Sequence, residues 1–263
     1  MKITQTTLQK MTENREKLAV LTCYDATFAT VLENAGVDVL LVGDSLGNVL
    51  HGSDTTLTVT LDDMLYHTRC VARGASRAFI VADMPFGSYQ ISPEQAFENA
   101  AKIIAAGAQM VKIEGGQIMA STIQFLTQRG IPVCAHIGLT PQSVHQLGGY
   151  KLQGNTEKSA KQLLEDAKIL QKSGAGLLVM EVVPARLAKK ITQALTIPTI
   201  GIGAGPDCSG QVLVLHDMLG ISQGKKPRFI KDFMQDAKSI PEAVTHYVQV
   251  VKAGQFPSKE HQF

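Results

Sequence analysis

Residues 39–47 read VLLVGDSLG. Four aliphatic residues in a row suit a strand buried on both faces, as in a parallel sheet. The chain then turns on a glycine, an aspartate, a serine and, two residues later, a second glycine. Gly, Asp and Ser are turn formers for backbone reasons alone. Asp44 and Ser45 therefore read either as a turn or as polar groups set at a strand end to meet a ligand. The choice depends on whether other strands end in the same way.

Short runs rich in Val, Ile and Leu recur at LAVLTCYD (18–25), VDVLLVGD (37–44), AFIVADMP (78–85), AQMVKIEGG (108–116), IPVCAHIG (131–138), GLLVMEVV (176–183), IPTIGIGAG (197–205) and QVLVLHDM (211–218). Segments of helical period separate them, the alternation of a parallel sheet with helical crossovers. Ser92 is placed to cap one helix, with Pro93 in its first turn, Gln95 completing a capping box and Gly107 closing it. Ala96, Ala100, Ile103 and Ile104 form its buried stripe. Ala160, Leu163, Leu164, Ala167 and Leu170 repeat at helical spacing in 157–173, and Leu187, Ile191 and Leu195 do so in 185–195. The gap between the seventh and eighth runs is too short for a full helix.

A faint repeat joins these units: Gly36 leads to Asp44, Gly107 to Glu114 and Gly174 to Glu181, each as helix, glycine stop, aliphatic run and acid. Eight such runs in 263 residues predict a single (β/α)8 TIM barrel spanning 1–263, within the usual length of that fold. The tail from 227 to 263 reads as one or two extra C-terminal helices packed on the barrel or on a neighbouring subunit.

With 25 basic and 23 acidic residues, a formal charge of +2 and no long block of either sign, the chain carries no nucleic-acid footprint and no polybasic membrane anchor. A small neutral or anionic substrate suits it better. Cys23, Cys70, Cys134 and Cys208 lack metal-ligand spacing and read as reduced thiols, which points to the cytoplasm. The first residues, MKITQTTLQKMTENREK, are polar where a secretory signal is apolar, and no apolar run approaches the roughly 18 residues of a membrane span.

The strand ends carry Asp25, Asp44, Asp83, Glu114, His136, Glu181 and His216. In a barrel these positions face one mouth, where catalytic groups are assembled from several strands. Four carboxylates meeting there from the second, third, fourth and sixth runs repel one another unless they share a cation or a proton. All are oxygen donors, so Mg2+ fits better than Zn2+. Lys112 and Glu114, two residues apart, share a face of their strand. The lysine is either a partner for a substrate carboxylate or half of a core ion pair with Glu114. His136 reads as a base, as a group orienting a ligating carboxylate or as an ordinary strand-end histidine, the last two being favoured. GIGAG at 201–205 reads as a phosphate loop or as a tight turn. Glu181 lies between Val179–Met180 and Val182–Val183, an apolar setting of the kind that raises a carboxylate pKa and strengthens it as a base. Pro184 already supplies the chain break there.

VGDSLG at 42–47, ADMPF at 82–86, MVKIEGG at 110–116, HIGLTPQS at 136–143, GGYKLQG at 148–154, IGIGAG at 200–205 and LVLHDMLGI at 213–221 resemble, in order, the ketopantoate hydroxymethyltransferase family. The resemblance implies transfer of a one-carbon unit from 5,10-methylenetetrahydrofolate to α-ketoisovalerate, giving ketopantoate for pantothenate synthesis. It implies Asp44 and Asp83 as Mg2+ ligands and Glu114 as a third acid of the metal site, in contact directly or through water. Ser45 and Lys112 then hold the keto acid, which chelates the metal on Asp44 and Asp83 through its keto oxygen and a carboxylate oxygen. Glu181 is the base that removes the C3 proton, and a homo-oligomer, commonly a decamer of two pentameric rings, is implied as well. No motif marks the folate contacts. A chelated Mg2+ eases removal of the C3 proton by stabilising the enolate oxygen. Two other readings remain. One is a Mg-dependent carbon-carbon lyase or phosphonomutase of the isocitrate lyase and phosphoenolpyruvate mutase type, although the Lys-Lys-Cys-Gly-His loop of isocitrate lyases is absent. The other is a catalytically inert barrel acting as a scaffold.

Overall fold

A strand buried on both faces must satisfy its backbone by pairing on both edges, and here the eight aliphatic runs do so by closing into a ring. The computed structural model describes residues 2–263 apart from Gln223 and Lys225. Its strands are β1 (Leu18–Thr22), β2 (Val39–Val42), β3 (Phe79–Asp83), β4 (Met110–Glu114), β5 (Val133–Gly138), β6 (Leu177–Glu181), β7 (Thr199–Ile202) and β8 (Gly210–Leu213). They form a closed parallel barrel in chain order, sealed where β1 pairs with β8 through Leu18 opposite Gly210 and Val20 opposite Val212. The helices among the described residues are α1 (Gln5–Glu13), α2 (Ala26–Asn34), α3 (Leu46–Val49), α4 (Leu61–Gly74), α5 (Pro93–Ala105), α6 (Ala120–Thr127), α7 (Val144–Leu147), α8 (Glu157–Lys172), α9 (Ala185–Ala194), α10 (Leu215–Met218) and α11 (Ile240–Lys252). The architecture is the expected (β/α)8 barrel. None of these helices is long and apolar enough to cross a membrane.

Several strands are shorter than the aliphatic runs suggest, because polar residues at their ends serve the following helix instead. β1 stops at Thr22, and Asp25 is the N-cap of α2, its Oδ1 accepting the Phe28 N–H at 2.8 Å. A carboxylate there satisfies one of the orphan donors of a helix start. β8 stops at Leu213, so His216 belongs to α10 rather than to a strand end. Ser92 caps α5 as expected, accepting the Gln95 N–H at 3.2 Å. The capping box does not form: the Gln95 side chain accepts the Ile91 N–H at 3.2 Å and donates to the Gly87 carbonyl at 3.0 Å.

No helix lies between β7 and β8, as the short gap requires. The tail supplies the missing cover, since α11 buries Ala243, Val244, Tyr247, Val248 and Val251 and packs on β1 and α2. The Tyr247 hydroxyl lies 2.9 Å from the carbonyls of both Val20 and Gln211, so one side chain spans the seam of the barrel. α1 closes the opposite end: Ile3 N–H reaches Arg77 O at 2.8 Å, and Gln9 Nε2 donates to Thr196 O at 2.8 Å. Inside, Val20, Val39, Val81, Cys134, Ile200 and Val212 surround a void of only about 20 Å3. The interior is therefore a packed floor, and the carboxyl ends of the strands are left as the open mouth.

Glu33 on α2 ties the start of β3 in place, accepting the N–H groups of Ser76 at 2.9 Å, Arg77 at 2.6 Å and Ala78 at 2.8 Å. Burial pushes its carboxyl up, but the hydrogen bonds from Ser76, Ala78 and Arg77 outweigh this and hold its pKa below the usual value. A depressed folded-state pKa stabilises above the unfolded value, and that contribution is lost as pH falls through the folded value. Glu33→Gln should therefore reduce the unfolding free energy at pH 7 by about 1 kcal/mol, after allowing for solvent screening. In urea titrations across pH, the gap between the two proteins should close below about pH 4. A gap that persists undiminished at pH 2 would show that ionisation of Glu33 is not its source.

Candidate active site

Strand register assembles the polar mouth before any loop is considered. β3 and β4 align so that Asp83 stands opposite Lys112, β4 and β5 so that Glu114 stands opposite His136, and β5 and β6 so that Gly138 stands opposite Glu181. Asp44 follows β2 by one turn residue, with Ser45 at the start of α3. Asp44, Ser45, Asp83, Lys112, Glu114, His136 and Glu181 all line one cavity of about 1050 Å3. His216 reaches the same cavity from α10, whereas Asp25 lies outside it. The glycines of 201–205 are also outside its wall. A side chain on Gly205 would strike Ala185 at 2.5 Å, so this stretch is a tightly packed turn rather than a phosphate cradle.

The charges are mutually supporting and deeply buried. Lys112 Nζ lies 3.2 Å from Asp83 Oδ1 and 3.6 Å from Glu114 Oε1. Burial would lower its pKa, but Asp83, Glu114 and Asp44 outweigh burial and hold the ammonium well above its ordinary value. The ion pair with Glu114 expected for Lys112 is present, and the side chain also lines the cavity. Glu114 Oε1 lies 3.1 Å from His136 Nδ1, and Glu114 Oε2 accepts the Gln142 N–H at 3.0 Å. Burial raises the Glu114 carboxyl, yet His136, Lys112 and these hydrogen bonds together hold it below the usual range. For His136, burial and Lys112 push the imidazole down, and Glu114 and Glu181 overcome them, raising it to about 9. It is therefore an imidazolium bridging two acids. Its Nε2 stands 3.3 Å from Glu181 Oε2, close enough for ionic attraction but not aligned as a hydrogen bond.

Glu181 is set apart from the other acids. Its side chain is 15% exposed at the cavity wall, with the His136 ring as its near polar neighbour and Val179 and Val182 on the same wall. Alternation along the strand turns Met180 to the other face, into the core. The backbone beside Glu181 is constrained. Gly138, at φ +92°, leaves no room for a side chain, whose Cβ would meet the Glu181 carbonyl at 2.3 Å. Val182 has φ +48°, a strained conformation for a β-branched residue, and is held there by Val182 N–H to Ile202 O at 2.9 Å and Gln153 N–H to Val182 O at 3.0 Å.

Asp44 and Asp83 form the most strained electrostatic pair. The Asp44 N–H donates to Asp83 Oδ2 at 3.0 Å, and Asp83 Oδ1 is buried with no aligned hydrogen bond. Burial first, then Asp83 and Glu114, push the Asp44 carboxyl well above its usual value, the mark of an anion lacking a counter-charge. Counted formally, four carboxylates against Lys112 and His136 leave two negative charges, which a divalent cation would neutralise. Among the described residues no three His, Cys, Asp or Glu side chains form a ready cation cage. Mg2+ takes one or two carboxylates and completes its shell with water and substrate oxygens. Asp44 and Asp83 fit this role, with Glu114 farther back on His136. Three participants carry no sequence signal of their own: Tyr24, whose hydroxyl lies 2.9 Å from Ser45 Oγ; Tyr89, 3.1 Å from Glu114 N; and Gln142, whose Nε2 donates to Asp44 Oδ2 at 2.9 Å. Only the position of Gln142 within HIGLTPQS could have drawn attention to it.

The ketopantoate hydroxymethyltransferase family matches residues 2–259. The chain is 67% identical over 263 residues to 3-methyl-2-oxobutanoate hydroxymethyltransferase of Nitrosospira multiformis, with 100% of both chains covered. It is 66% identical over 262 residues to the enzyme of that name from Nitrosomonas eutropha, covering 100% of this chain and 97% of the relative. Among solved structures, 2,3-dimethylmalate lyase, described as a PEP mutase/isocitrate lyase superfamily member, superposes with TM-score 0.59 at 20% identity over 84% of each chain. Phosphonopyruvate hydrolase in complex with oxalate and Mg++ does so with TM-score 0.61 at 12% identity over 81% of each. At such identities these two share the fold alone, whereas the match along the whole sequence is far more specific: the chain belongs to the ketopantoate hydroxymethyltransferase family.

Proposed function

We propose that this protein transfers a hydroxymethyl group from 5,10-methylenetetrahydrofolate to 3-methyl-2-oxobutanoate, forming ketopantoate for pantothenate biosynthesis, with Mg2+ held by Asp44 and Asp83. The observation that carries the proposal is the division of one cavity into two acidic parts. Asp44 is a buried carboxylate short of counter-charge with Asp83 beside it, while Glu181 stands apart beside His136. Family membership supplies the reaction class, since its relatives bear that activity in their names.

When bound, the cation would supply electrostatic stabilisation of charge developing on the keto oxygen. Lys112, already an ammonium, pairs with the carboxylate of the keto acid. Ser45, its hydroxyl 2.9 Å from that of Tyr24, donates to the same ligand. Glu181 accepts the C3 proton, oriented by His136, which stays charged because of its own buried partners. The C3 carbon then bonds to the one-carbon unit, with one water consumed and tetrahydrofolate released. A five-carbon keto acid fills only part of 1050 Å3, a volume at the top of the range for drug-sized ligands, roughly 300–1,000 Å3. The remaining wall includes Tyr150, Phe229 and Phe263, aromatic faces suited to a flat heterocycle of the folate donor. The protein acts as a single barrel domain, 1–263, in a cytoplasmic homo-oligomer. Its four cysteines are free thiols, three of them buried, which suits a reducing compartment.

Asp44→Asn and Asp83→Asn should each abolish turnover and weaken Mg2+ binding; without metal, Asp44→Asn should melt at or above wild type because repulsion is relieved, and Asp83→Asn below it because Lys112 loses its nearest counter-charge. Calorimetric Mg2+ titration with parallel melting curves tests this. Wild-type affinity in both variants would place the ligands elsewhere.

For Glu181, the two halves of the reaction can be separated. With Mg2+ and no folate, the protein should exchange the C3 proton of 3-methyl-2-oxobutanoate for deuterium in heavy water. Glu181→Gln should bind the keto acid nearly normally and lose exchange and product formation by about 100-fold or more. Exchange at the wild-type rate in this variant would assign the base to another group, His136 being the next to test.

A further inference from the structure

Gln142 sits behind the cavity wall, 5% exposed, in the 3-10 turn Pro141–Ser143 that follows β5. Both polar atoms of its side chain are engaged. Nε2 donates to Asp44 Oδ2 and to the Met84 carbonyl, each at 2.9 Å. Oε1 accepts from the Tyr89 hydroxyl at 2.6 Å and from Gln90 Nε2 at 3.3 Å. The direction of the amide follows from its partners. Met84 O can only accept, and the Tyr89 oxygen already accepts the Glu114 N–H at 3.1 Å, which leaves its proton for Oε1. The Gln142 main-chain N–H separately donates to Glu114 Oε2 at 3.0 Å. One residue thus grips two acids by different handles: a side-chain substitution cuts the link to Asp44, with those to Met84, Tyr89 and Gln90, and leaves the main-chain link to Glu114.

Asp44 needs such a grip. It is 4% exposed and repelled by Asp83 and Glu114, so an unanchored carboxylate would rotate away from them. A second lysine would hold it but would also cancel the charge that attracts a cation. A neutral amide fixes the carboxylate and leaves its charge intact. Oδ2 is engaged by Gln142, while no described residue hydrogen-bonds Oδ1, which belongs to a side chain lining the cavity.

We propose that Gln142, with its amide direction set by Tyr89, is a positioning residue that orients Asp44 so that Oδ1 faces the ligand side of the cavity. The inference rests on the reading of Asp44 given above and adds the device that aims it.

The test compares wild type with Gln142→Met, which keeps length without donors, with Tyr89→Phe, which removes the hydroxyl that directs the amide and that also accepts the Glu114 N–H, and with the double variant. Mg2+ binding is measured by calorimetry without substrates, and kcat and KM for the keto acid and the melting temperature are measured separately. Gln142→Met should weaken Mg2+ binding by about 10-fold or more, as supporting hydrogen bonds of metal ligands commonly do, and should lower kcat more than it raises KM. Tyr89→Phe, the milder change should Gln142→Met not fold, should shift both in the same direction by less. In Mg2+ affinity the double variant should be no worse than Gln142→Met, because toward Asp44 both act through one orientation. A Gln142→Met protein that melts earlier but binds Mg2+ and turns over as wild type does would overturn the proposal in favour of a packing role. Losses of Mg2+ affinity that multiply in the double variant would overturn the coupling to Tyr89. A wild type that binds Mg2+ without converting the keto acid overturns the reaction proposed above, and the Mg2+ comparison still decides the role of Gln142. If the wild type turns over without binding Mg2+, the kcat ratio of Gln142→Met to wild type decides it.

Discussion

The buried ammonium of Lys112 is the interaction around which this site is organised. A charge removed from water is tolerated only beside compensating charge, and Lys112, on β4, has Asp83 on the neighbouring strand and Glu114 two residues along its own. That placement makes the barrel mouth polar without opening the barrel, since the floor beneath remains aliphatic and nearly void-free. It also leaves the balance unfinished. One lysine and one imidazolium do not neutralise four acids, and the deficit collects at Asp44, the carboxyl pushed furthest toward protonation.

Two kinds of support hold these groups. Asp83, Lys112, Glu114, His136 and Glu181 sit within strands, so their positions are fixed by the hydrogen-bond ladder and its register. Asp44 lies beyond the end of β2, where no ladder holds it, and there the Tyr89 and Gln142 relay supplies the rigidity. This is consistent with the chemistry: strand-borne groups are positioned tightly by default, whereas a loop-borne acid needs bonds of its own. Strain at Val182 and the missing side chain at Gly138 concentrate beside Glu181, the one acid apart from the cluster.

The chain shares its barrel fold with 2,3-dimethylmalate lyase at 20% identity. A common scaffold therefore explains the placement of the mouth but not the reaction, which depends on which side chains stand at the strand ends.

Much of this was determined by the sequence alone. Aliphatic runs of strand length, glycine stops and helical stripes specify the barrel because their periods, 2 and 3.6, are local properties. The acids at 44, 83, 114 and 181 were legible for the same reason, each closing such a run. What the tertiary structure decided were matters of pairing. Asp25 and Asp44 look alike in sequence, both following a strand, yet one caps a helix and the other faces the cavity. His136 could not be assigned until Glu114 and Glu181 were found on either side of it. Gln142 could be seen only as a member of HIGLTPQS, and its role could not, since an amide has no charge and no periodicity. Its role arises from Asp44, 98 positions away in the chain, and from Tyr89, 53 away. Contacts at such separations come from barrel closure and strand register, and those are fixed only when all eight strands meet.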